Sequence, residues 1–438
     1  MSSLLHRLGL GRPELRAWAM YDWANSAFMC TIVTAIFPIY FQREAAATLP
    51  GAEALAMWGL ANTIAIAIVA VLNPFLGALA DYLPIKKRML GAFLAVGLVA
   101  TASMVFIGHG EWRLAMLLFI AASVGAFGSM AFYDALLPHI AGPDEIDRVS
   151  SAGYAIGYFG GGLLLLVNAI WIVSPQTFGM RDAGVASRVS FVSVAAWWLV
   201  FSIPLFRRVP EPPAAPRVPG HPLAIASRRL LRTLRELRGF REAFLMLVAF
   251  AVYNDGINTI IKMATSYGAD LGLDAGNMIA AVLLVQFVGV PCAFLFGALA
   301  GRIGAKRSIY LALGIYVVIS VLAYFVTTSL HFYLLAFLVA TVQGGSQALS
   351  RSLFASMIPR TKSAEFFAFF SIFEKFTGAL GPAVFTVAVA ATGSGRAAVL
   401  SIVVFFVAGW LLLARVDVER GQAIARAAER VDERATPA

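Results

Sequence analysis

Long apolar stretches separated by short polar breaks recur along the whole chain of 438 residues. A helix needs roughly 20 residues to cross about 30 Å of hydrocarbon, and each stretch has at least about that length. The stretches lack the alternation of barrel strands, so the pattern predicts an all-α membrane protein with twelve spans. They are Ala17–Phe41, Ala54–Leu83, Met89–Ile107, Arg113–Leu137, Ser151–Val173, Val189–Phe206, Ala243–Tyr267, Asn277–Gly301, Ser308–Val326, Phe332–Ile358, Ala364–Ala391 and Ala397–Ala414.

Composition agrees with a bilayer environment, because 60% of the residues are hydrophobic, 13% are charged and the mean hydropathy is +0.80. Soluble domains of this size are far more polar. Cys30 and Cys292 both lie inside apolar stretches and have no metal-ligand spacing, so we interpret them as packing residues and expect no metal site. The N-terminal segment is too polar and basic for a signal-peptide core, which predicts that the first span is retained.

The net charge of +10 reflects membrane topology. With both termini on one side, that side carries 27 Lys and Arg side chains and the other side carries 5. The positive-inside rule then predicts cytoplasmic termini and a multi-pass protein of the cell (inner) membrane. We expect the lipid bilayer as the surrounding partner and no nucleic acid.

A proline-rich segment at the midpoint, Val209–Pro222, divides the chain into two halves of six spans. The predicted units are residues 1–208, a linker at 209–242, residues 243–415 and a cytoplasmic tail at 416–438. Leucines and arginines interleave from Leu223 to Arg241, which is typical of a basic amphipathic helix. This helix could lie on an anionic leaflet or could be an ordinary connector.

The two halves repeat one another. The sequence Gly-Ala-Leu-Ala begins at Gly77 and again at Gly297, each time followed by basic residues. Two further pairs match: AMYDWAN at Ala19–Asn25 with AVYNDGI at Ala251–Ile257, and Leu137-Pro138 with Ile358-Pro359. Three matched landmarks at similar offsets indicate parallel six-helix repeats, a construction found in secondary transporters.

The Gly77–Arg88 loop resembles the signature between helices two and three of the major facilitator superfamily. Among the branches of this superfamily, the vacuole-effluxer branch is the one that the segments Trp18–Ala27 and Tyr253–Gly256 resemble. Fungal members of that branch are associated with autophagy and with amino-acid export from the vacuole. The resemblance covers nearly the whole chain and implies the major facilitator fold, with helices one, four, seven and ten facing a central cavity. The basic-x-Gly that usually follows the aspartate is missing here.

Ionisable side chains inside the spans are few, and each costs about 3 kcal/mol at the bilayer centre unless it has a partner. They are Asp22, Asp134, Asp255, Lys262, Glu374 and Lys375. On helix one, Asp22 and Asn25 share a face with Tyr21 beside them, and on helix seven Asp255, Asn258 and Lys262 form a similar stripe. Gln343 and Gln347 add hydrogen-bonding capacity to helix ten.

These residues, apart from Asp134, are our candidates for binding substrate or protons. Four buried acids against two bases leave two carboxylates without a fixed cation, and such groups can bind a proton or a substrate cation. We expect Lys262 to receive an anionic group of the substrate, and Asp255 or Asp22 to receive an ammonium group or the coupling proton. The alternative is that the charges are struts between helices. For Glu374 and Lys375 two interpretations stay open, contact with the substrate and packing between helices.

A second candidate group forms a gating motif at the predicted cytoplasmic side. It comprises Gly77, Asp81, Lys86, Lys87, Arg88, Asp134, Gly297 and Arg302. The first copy of the repeat keeps Asp81, whereas the second copy has Gly301 at that place. A charge-bearing latch is therefore expected mainly in the N-terminal half.

The sequence contains no Walker motif, Gly-x-Ser-x-Gly elbow, His-Glu-x-x-His or Cys-x-x-Cys, so we predict neither an enzyme nor a cofactor. The leading hypothesis is a secondary active transporter, proton-coupled, that exports neutral amino acids or similar amphipathic compounds. Two alternatives stay open: a sugar or lysolipid permease of the same fold, and a membrane receptor or scaffold that does not transport. The sequence does not indicate an oligomeric state.

Overall fold

The computed structural model describes residues 2–213, 239–270, 275–376 and 399–434, together with residues 381, 384, 387, 388 and 391. This part of the chain consists of helices and connecting loops, without a β-strand. The all-α prediction is therefore confirmed. The predicted basic helix of the linker falls largely on residues 214–238 and so lies outside the described residues.

The helices follow the predicted spans closely. They are α1 (Pro13–Ala45), α2 (Gly51–Tyr82), α3 (Lys86–Ser103), α4 (Trp112–Ile140), α5 (Ile146–Val173), α6 (Ala183–Arg208), α7 (Arg241–Asp270), α8 (Ala275–Ile303), α9 (Ala305–Tyr324), α10 (Ser329–Ser356), α11 (Ser363–Phe376), α12 (Val403–Ala414) and α13 (Val418–Arg434).

Ten of these helices, α1 to α10, are long and apolar enough to cross a membrane. The eleventh predicted span is described only over α11 and a few later residues, so the full count of twelve rests partly on residues outside the described ranges. The twelfth span is followed, after a bend of 60°, by the polar helix α13.

Local signals in the sequence set several helix ends. Pro13 occupies the first turn of α1, where its missing N–H would have no intrahelical partner. The side chain of Asp182 accepts a hydrogen bond from the Val185 N–H at the start of α6, and Thr328 does the same for His331 at the start of α10. Gly304 has φ +88° in the turn before α9, a conformation that favours glycine.

The middle of α1 departs from α-helical geometry, because residues Met29–Ala35 and Phe41–Ala45 form π turns. The hydroxyl of Thr34 donates to the carbonyl of Met29 at 2.9 Å, across the wider turn. The hydrophobic pattern does not reveal such a change of pitch. π turns inside α-helices occur frequently at functional sites.

One face of the bundle carries both the N-terminal segment and α13, and we call it the terminal face. Here Arg12 donates to the carbonyl of Ile140 at 2.6 Å, and Glu429 of α13 accepts from the Arg360 N–H at 2.8 Å. Large apolar side chains such as Val71, Phe106 and Leu295 are exposed along the sides of the bundle, as expected for surfaces that contact lipid.

The two halves pack against each other through matched pairs of helices, α2 against α11 and α8 against α5. The repeated glycines lie at these crossings. A Cβ on Gly77 would lie 2.6 Å from the Ala364 carbonyl oxygen, and a Cβ on Gly297 would lie 2.7 Å from the Ser151 Cβ. Each glycine therefore allows a close approach between the halves.

Candidate functional site

A buried charge cluster joins the two halves near the terminal face. Arg351 of α10 is 1% exposed, and its guanidinium group contacts the carboxylates of Asp22 on α1 and Asp134 on α4. The Nη1–Oδ1 distance to Asp134 is 3.0 Å, and the Nη2–Oδ2 distance to Asp22 is 3.3 Å. Both carboxylates are themselves buried. We call these three residues the gate cluster.

All five N–H groups of Arg351 can be assigned to acceptors. Nε donates to the Ser150 hydroxyl at 2.9 Å, and Nη2 donates to the Ser150 carbonyl at 3.0 Å. The remaining bonds go to Asp22 and Asp134. Because a guanidinium group has five donors and no acceptor, its hydrogen-bonding capacity is fully used in this arrangement.

Three aromatic rings surround the guanidinium carbon of Arg351. The ring centroids of Tyr154, Trp18 and Tyr133 lie 4.6, 4.9 and 5.7 Å from it. Tyr133 also donates a hydrogen bond of 2.8 Å to Asp22, and its ring stacks on Trp18. The rings exclude water and add cation–π attraction to the ion pairs.

Gly153 of α5 leaves the space that this cluster occupies. A Cβ at this position would lie 2.5 Å from Asp22 Oδ2 and 3.1 Å from Arg351 Nη2. Contacts below 3 Å are not tolerated between such atoms, so a side chain at Gly153 would displace the ion pair.

A second contact between the halves lies at the end of α2. Asp81 is fully buried and forms an ion pair of 2.7 Å with Lys86, which is also buried. The same carboxylate accepts hydrogen bonds from the N–H groups of Ala364 at 3.2 Å and Glu365 at 2.8 Å, in the first turn of α11. A carboxylate at a helix N-terminus satisfies free N–H groups and complements the helix dipole.

The other residues of the gating motif have different surroundings. Lys87 donates to the carbonyls of Phe206 and Val209 at the end of α6, so it caps a helix of its own half. Arg88 and Arg302 are exposed. Gly301, the counterpart of Asp81, has open space around the position of a Cβ.

Polar candidates on α1, α7 and α10 contact neighbouring helices. Tyr21 donates a 2.7 Å hydrogen bond to Ser129 of α4, and Asn25 is buried one turn further along α1. Gln347 donates to Asn254 of α7 at 3.2 Å. Tyr21 and Gln347 thus form hydrogen bonds between helices, and the side chain of Asn258 is half-buried on α7.

Asp255 lies against a backbone amide of the eleventh span. Its Oδ2 accepts a 2.7 Å hydrogen bond from the Gly381 N–H, next to Pro382. Glu374 is half-buried on α11. The predicted partners Lys262 and Lys375 have side chains outside the described part of the structure.

A second polar layer lies deeper than the gate cluster. Along the axis of α10, Gln343 lies about 20 Å from the C-terminal end of the helix, whereas Arg351 lies about 7 Å from it. The Tyr158 ring of α5 lies against Gly344 of α10, next to Gln343, and Gln286 of α8 contacts the sulfur of Cys30 in the π turn of α1. We call Tyr158, Gln343, Gln286 and Cys30 the middle layer. It brings neutral polar groups of both halves together near mid-membrane.

The described residues contain no group of three or more His, Cys, Asp or Glu side chains that could hold a metal ion. The arrangement can bind through hydrogen bonds and charge pairs. Most of these contacts join separate helices.

Comparison with known proteins agrees with this architecture. The sequence model of the family described as "Vacuole effluxer Atg22 like" matches residues 52–426. The chain belongs to this family. The Atg22-like family resemblance drawn from Trp18–Ala27 and Tyr253–Gly256 is thereby confirmed.

Curated relatives of the Atg22-like chain include an uncharacterized MFS-type transporter of Bacillus subtilis, YxiO. It is 37% identical over 405 residues, covering 92% of this chain and 94% of the relative. Autophagy-related protein 22 of Yarrowia lipolytica is 27% identical, over 65% of this chain and 53% of the relative. The chain thus spans about half the length of that fungal relative.

Solved structures with the same fold are major facilitator transporters. The human organic anion transporter MFSD10 superposes with a TM-score of 0.70 at 12% identity, covering 92% of this chain and 99% of its own. The proton:xylose symporter XylE superposes with a TM-score of 0.68 at 12% identity, covering 97% and 99%. The Atg22-like chain is a membrane transporter of this superfamily and not an enzyme.

Arg351 is not among the site residues that the sequence predicts. Its position near the end of the tenth span led to its being counted among the 27 basic residues of the terminal side, and that assignment is wrong because the side chain is buried. The predicted count of four acids and two bases within the spans is therefore also wrong, because Arg351 is a third base there. Arg351 follows Gln347 by four residues and Gln343 by eight, so it continues the polar stripe of α10, and this periodicity could have identified it.

Proposed function

We propose that this Atg22-like protein is a secondary active transporter that works by alternating access and exports a small amphipathic solute. Neutral amino acids are the favoured substrate, and a coupled proton is the favoured source of energy. We place it in the cell membrane with the terminal face in the cytoplasm, because that side carries most of the Lys and Arg residues.

The observation that carries the proposal is the chemistry of the contacts between the halves. On the terminal face the halves meet through the Arg351 ion pairs and through the hydrogen bonds from α11 to Asp81. Water can replace such polar contacts when the halves separate, whereas a large apolar interface would hold them together. The contacts therefore suit a gate that opens and closes during a transport cycle.

The middle layer supports a small solute with hydrogen-bonding groups. Tyr158, Gln343 and Gln286 offer neutral donors and acceptors. Asp255 on the neighbouring α7 supplies a negative charge, and Lys262 is two helical turns further along the same helix. Opposite charges about 10 Å apart, with neutral polar groups between, favour a zwitterion over an ion of one sign. The family description "Vacuole effluxer" supports export as the direction.

A counterflow assay in proteoliposomes tests the proposal. Purified protein is reconstituted with a panel of unlabelled solutes inside, labelled solute is added outside, and a pH-sensitive dye reports proton movement. We expect accumulation driven by neutral amino acids together with a pH change in the lumen. Protein-free liposomes are the control, and absence of exchange for every amphipathic solute would contradict the proposal.

Three variants in the same assay test the assignment of the binding groups. Asp22→Asn, Asp255→Asn and Lys262→Ala are each expected to reduce uptake or uncouple it from protons. Unaltered uptake and coupling in all three would contradict the assigned roles. The panel also includes a sugar and a lysolipid, and exchange of either one in place of amino acids would favour the alternative substrate classes.

A further inference from the structure

The charges of the gate cluster do not balance. Two carboxylates, Asp22 and Asp134, share one guanidinium group, Arg351. Among the described residues, Arg351 is the cation that forms an ion pair with either carboxylate, and all three side chains are buried. If both carboxylates were ionised, the closed cluster would hold one uncompensated negative charge away from water, which is strongly unfavourable.

Among the residues that the structure describes, the groups around the cluster do not supply the missing positive charge. The cluster is faced by Trp18 and Tyr21 from α1, Tyr133 from α4, and Ser150 and Tyr154 from α5, all neutral at ordinary pH. Glu374 of α11 also acts electrostatically on both Asp134 and Tyr154. The surroundings therefore favour an additional proton.

We infer that the gate cluster binds one proton when the two halves close on the terminal face. Arg351 compensates one carboxylate and the proton neutralises the other. When the halves separate, water enters, both carboxylates can ionise, and the proton leaves to the terminal side. Closure of this face is then linked to proton uptake.

The sign of the pH dependence follows from this count. The closed state binds one proton more than the open state, so lowering the pH favours closure and raising it favours opening. One linked proton changes the ratio of closed to open molecules by at most about tenfold per pH unit. The inference rests on the proposed alternating access, but it concerns the gate and needs no knowledge of the substrate.

The test measures the distance between the halves on the terminal face. Spin labels are attached to cysteines introduced at Arg207 and Arg307, two exposed positions on α6 and α9, after Cys30→Ser and Cys292→Ala. Full-length protein in lipid nanodiscs is examined by double electron–electron resonance from about pH 8 to about pH 5, because one of two carboxyl groups held close together can bind a proton well above its ordinary pKa. No solute is added.

The expected result is a shift toward the short distance as the pH falls, approaching tenfold per pH unit. Asp22→Asn and Asp134→Asn each remove one negative charge while keeping an acceptor for Arg351. Each is expected to stay closed with little pH dependence. Asp144→Asn removes an exposed carboxylate in the loop before α5, and as the matched control it should keep the wild-type response.

Arg351→Met could destabilise the protein by leaving two carboxylates without their cation. The triple variant Arg351→Met, Asp22→Asn, Asp134→Asn removes all three charges together and avoids that difficulty. It is expected to lose the pH response and to occupy the open state more than either aspartate variant. An unchanged pH response in the double variant Asp22→Asn, Asp134→Asn would overturn the inference.

Failure of this inference can be distinguished from failure of the proposed function. If wild-type protein exchanges solute in the counterflow assay but shows no pH response in the distance measurement, the gate inference is wrong and transport stands. If the distances respond to pH as expected but no solute is exchanged, the inference about the gate stands and the proposed function is wrong.

Discussion

The two halves of the molecule share a framework but differ in charge. In each half a tyrosine of the first helix is hydrogen-bonded to a serine of the fourth: Tyr21 to Ser129, and Tyr253 to Ser350. The position after the tyrosine is Asp22 in the N-terminal half and the neutral Asn254 in the C-terminal half.

The repeated loop shows the same difference. The N-terminal half carries Asp81, which binds Lys86 and the start of α11. Its counterpart in the C-terminal half is Gly301, where an added Cβ would have no other atom within 4 Å. The C-terminal half supplies the partners of these carboxylates: Arg351 pairs with Asp22 and Asp134, and backbone N–H groups of α11 donate to Asp81. Duplication therefore supplied the architecture, and the unequal charges supply contacts that join one half to the other.

The largest expected effect is that of removing Asp81. Asp81→Ala leaves Lys86 buried without its carboxylate and leaves two N–H groups of α11 without their acceptor, which should cost about 3–5 kcal/mol. Thermal unfolding in detergent and thiol accessibility on the terminal face measure it. Gly301→Asn, at the matched position, should change both by little, and equal effects of the two substitutions would break the comparison.

A carboxylate placed at the matched position of the C-terminal half should be harmful. Asn254 is fully buried and accepts its hydrogen bond from the neutral Gln347. Asn254→Asp is expected to cost about 3 kcal/mol, the typical cost of an aspartate within the membrane. The unfolding midpoint should fall well below that of wild type. A midpoint like that of wild type would mean that the C-terminal half tolerates charge as well as the N-terminal half does.

The two repeated glycines should differ in tolerance. Gly77→Ala brings a methyl group against the Ala364 backbone carbonyl, which cannot rotate away, and about 1–3 kcal/mol is expected. Gly297→Ala meets the side chain of Ser151. Adding Ser151→Gly should therefore restore much of the stability lost in Gly297→Ala. Failure of that rescue, measured by thermal unfolding, would show that backbone contacts limit both sites.

The smallest expected effects concern the matched tyrosines. Tyr21→Phe and Tyr253→Phe each remove one hydrogen bond to a serine, at a cost of about 1 kcal/mol. Similar shifts in the unfolding midpoint are expected, with Tyr324→Phe at an exposed position as the control. A much larger effect of Tyr21→Phe would indicate that this bond also holds the neighbouring Asp22 in place.

Sequence reasoning predicted most of the fold, because span length and hydropathy follow directly from the thickness of a bilayer. It also identified Asp22, Asp134 and Asp81, since a carboxylate in or near a span needs a partner. It could not identify the partners. Asp81 accepts from N–H groups of α11 and Asp255 accepts from the Gly381 N–H, and these donors are backbone atoms, which have no signature in residue identity.

Arg351 shows a second kind of limit. An arginine one or two turns from a helix end is usually able to extend toward the water at the interface. Its burial here depends on Trp18, Tyr133 and Tyr154, which come from three different helices, and on the space at Gly153. Nothing in the local sequence around Arg351 indicates that these groups meet.

The space at Gly153 has a consequence for how the chain can evolve. Gly153 and Arg351 are distant in the sequence, yet a side chain at the first position would occupy the volume of the ion pair made by the second. Substitution of Gly153 should be harmful while the ion pair is present and less harmful once both Asp22 and Arg351 have been replaced by smaller residues. The two positions are therefore expected to co-vary, with glycine persisting in lineages that keep the arginine.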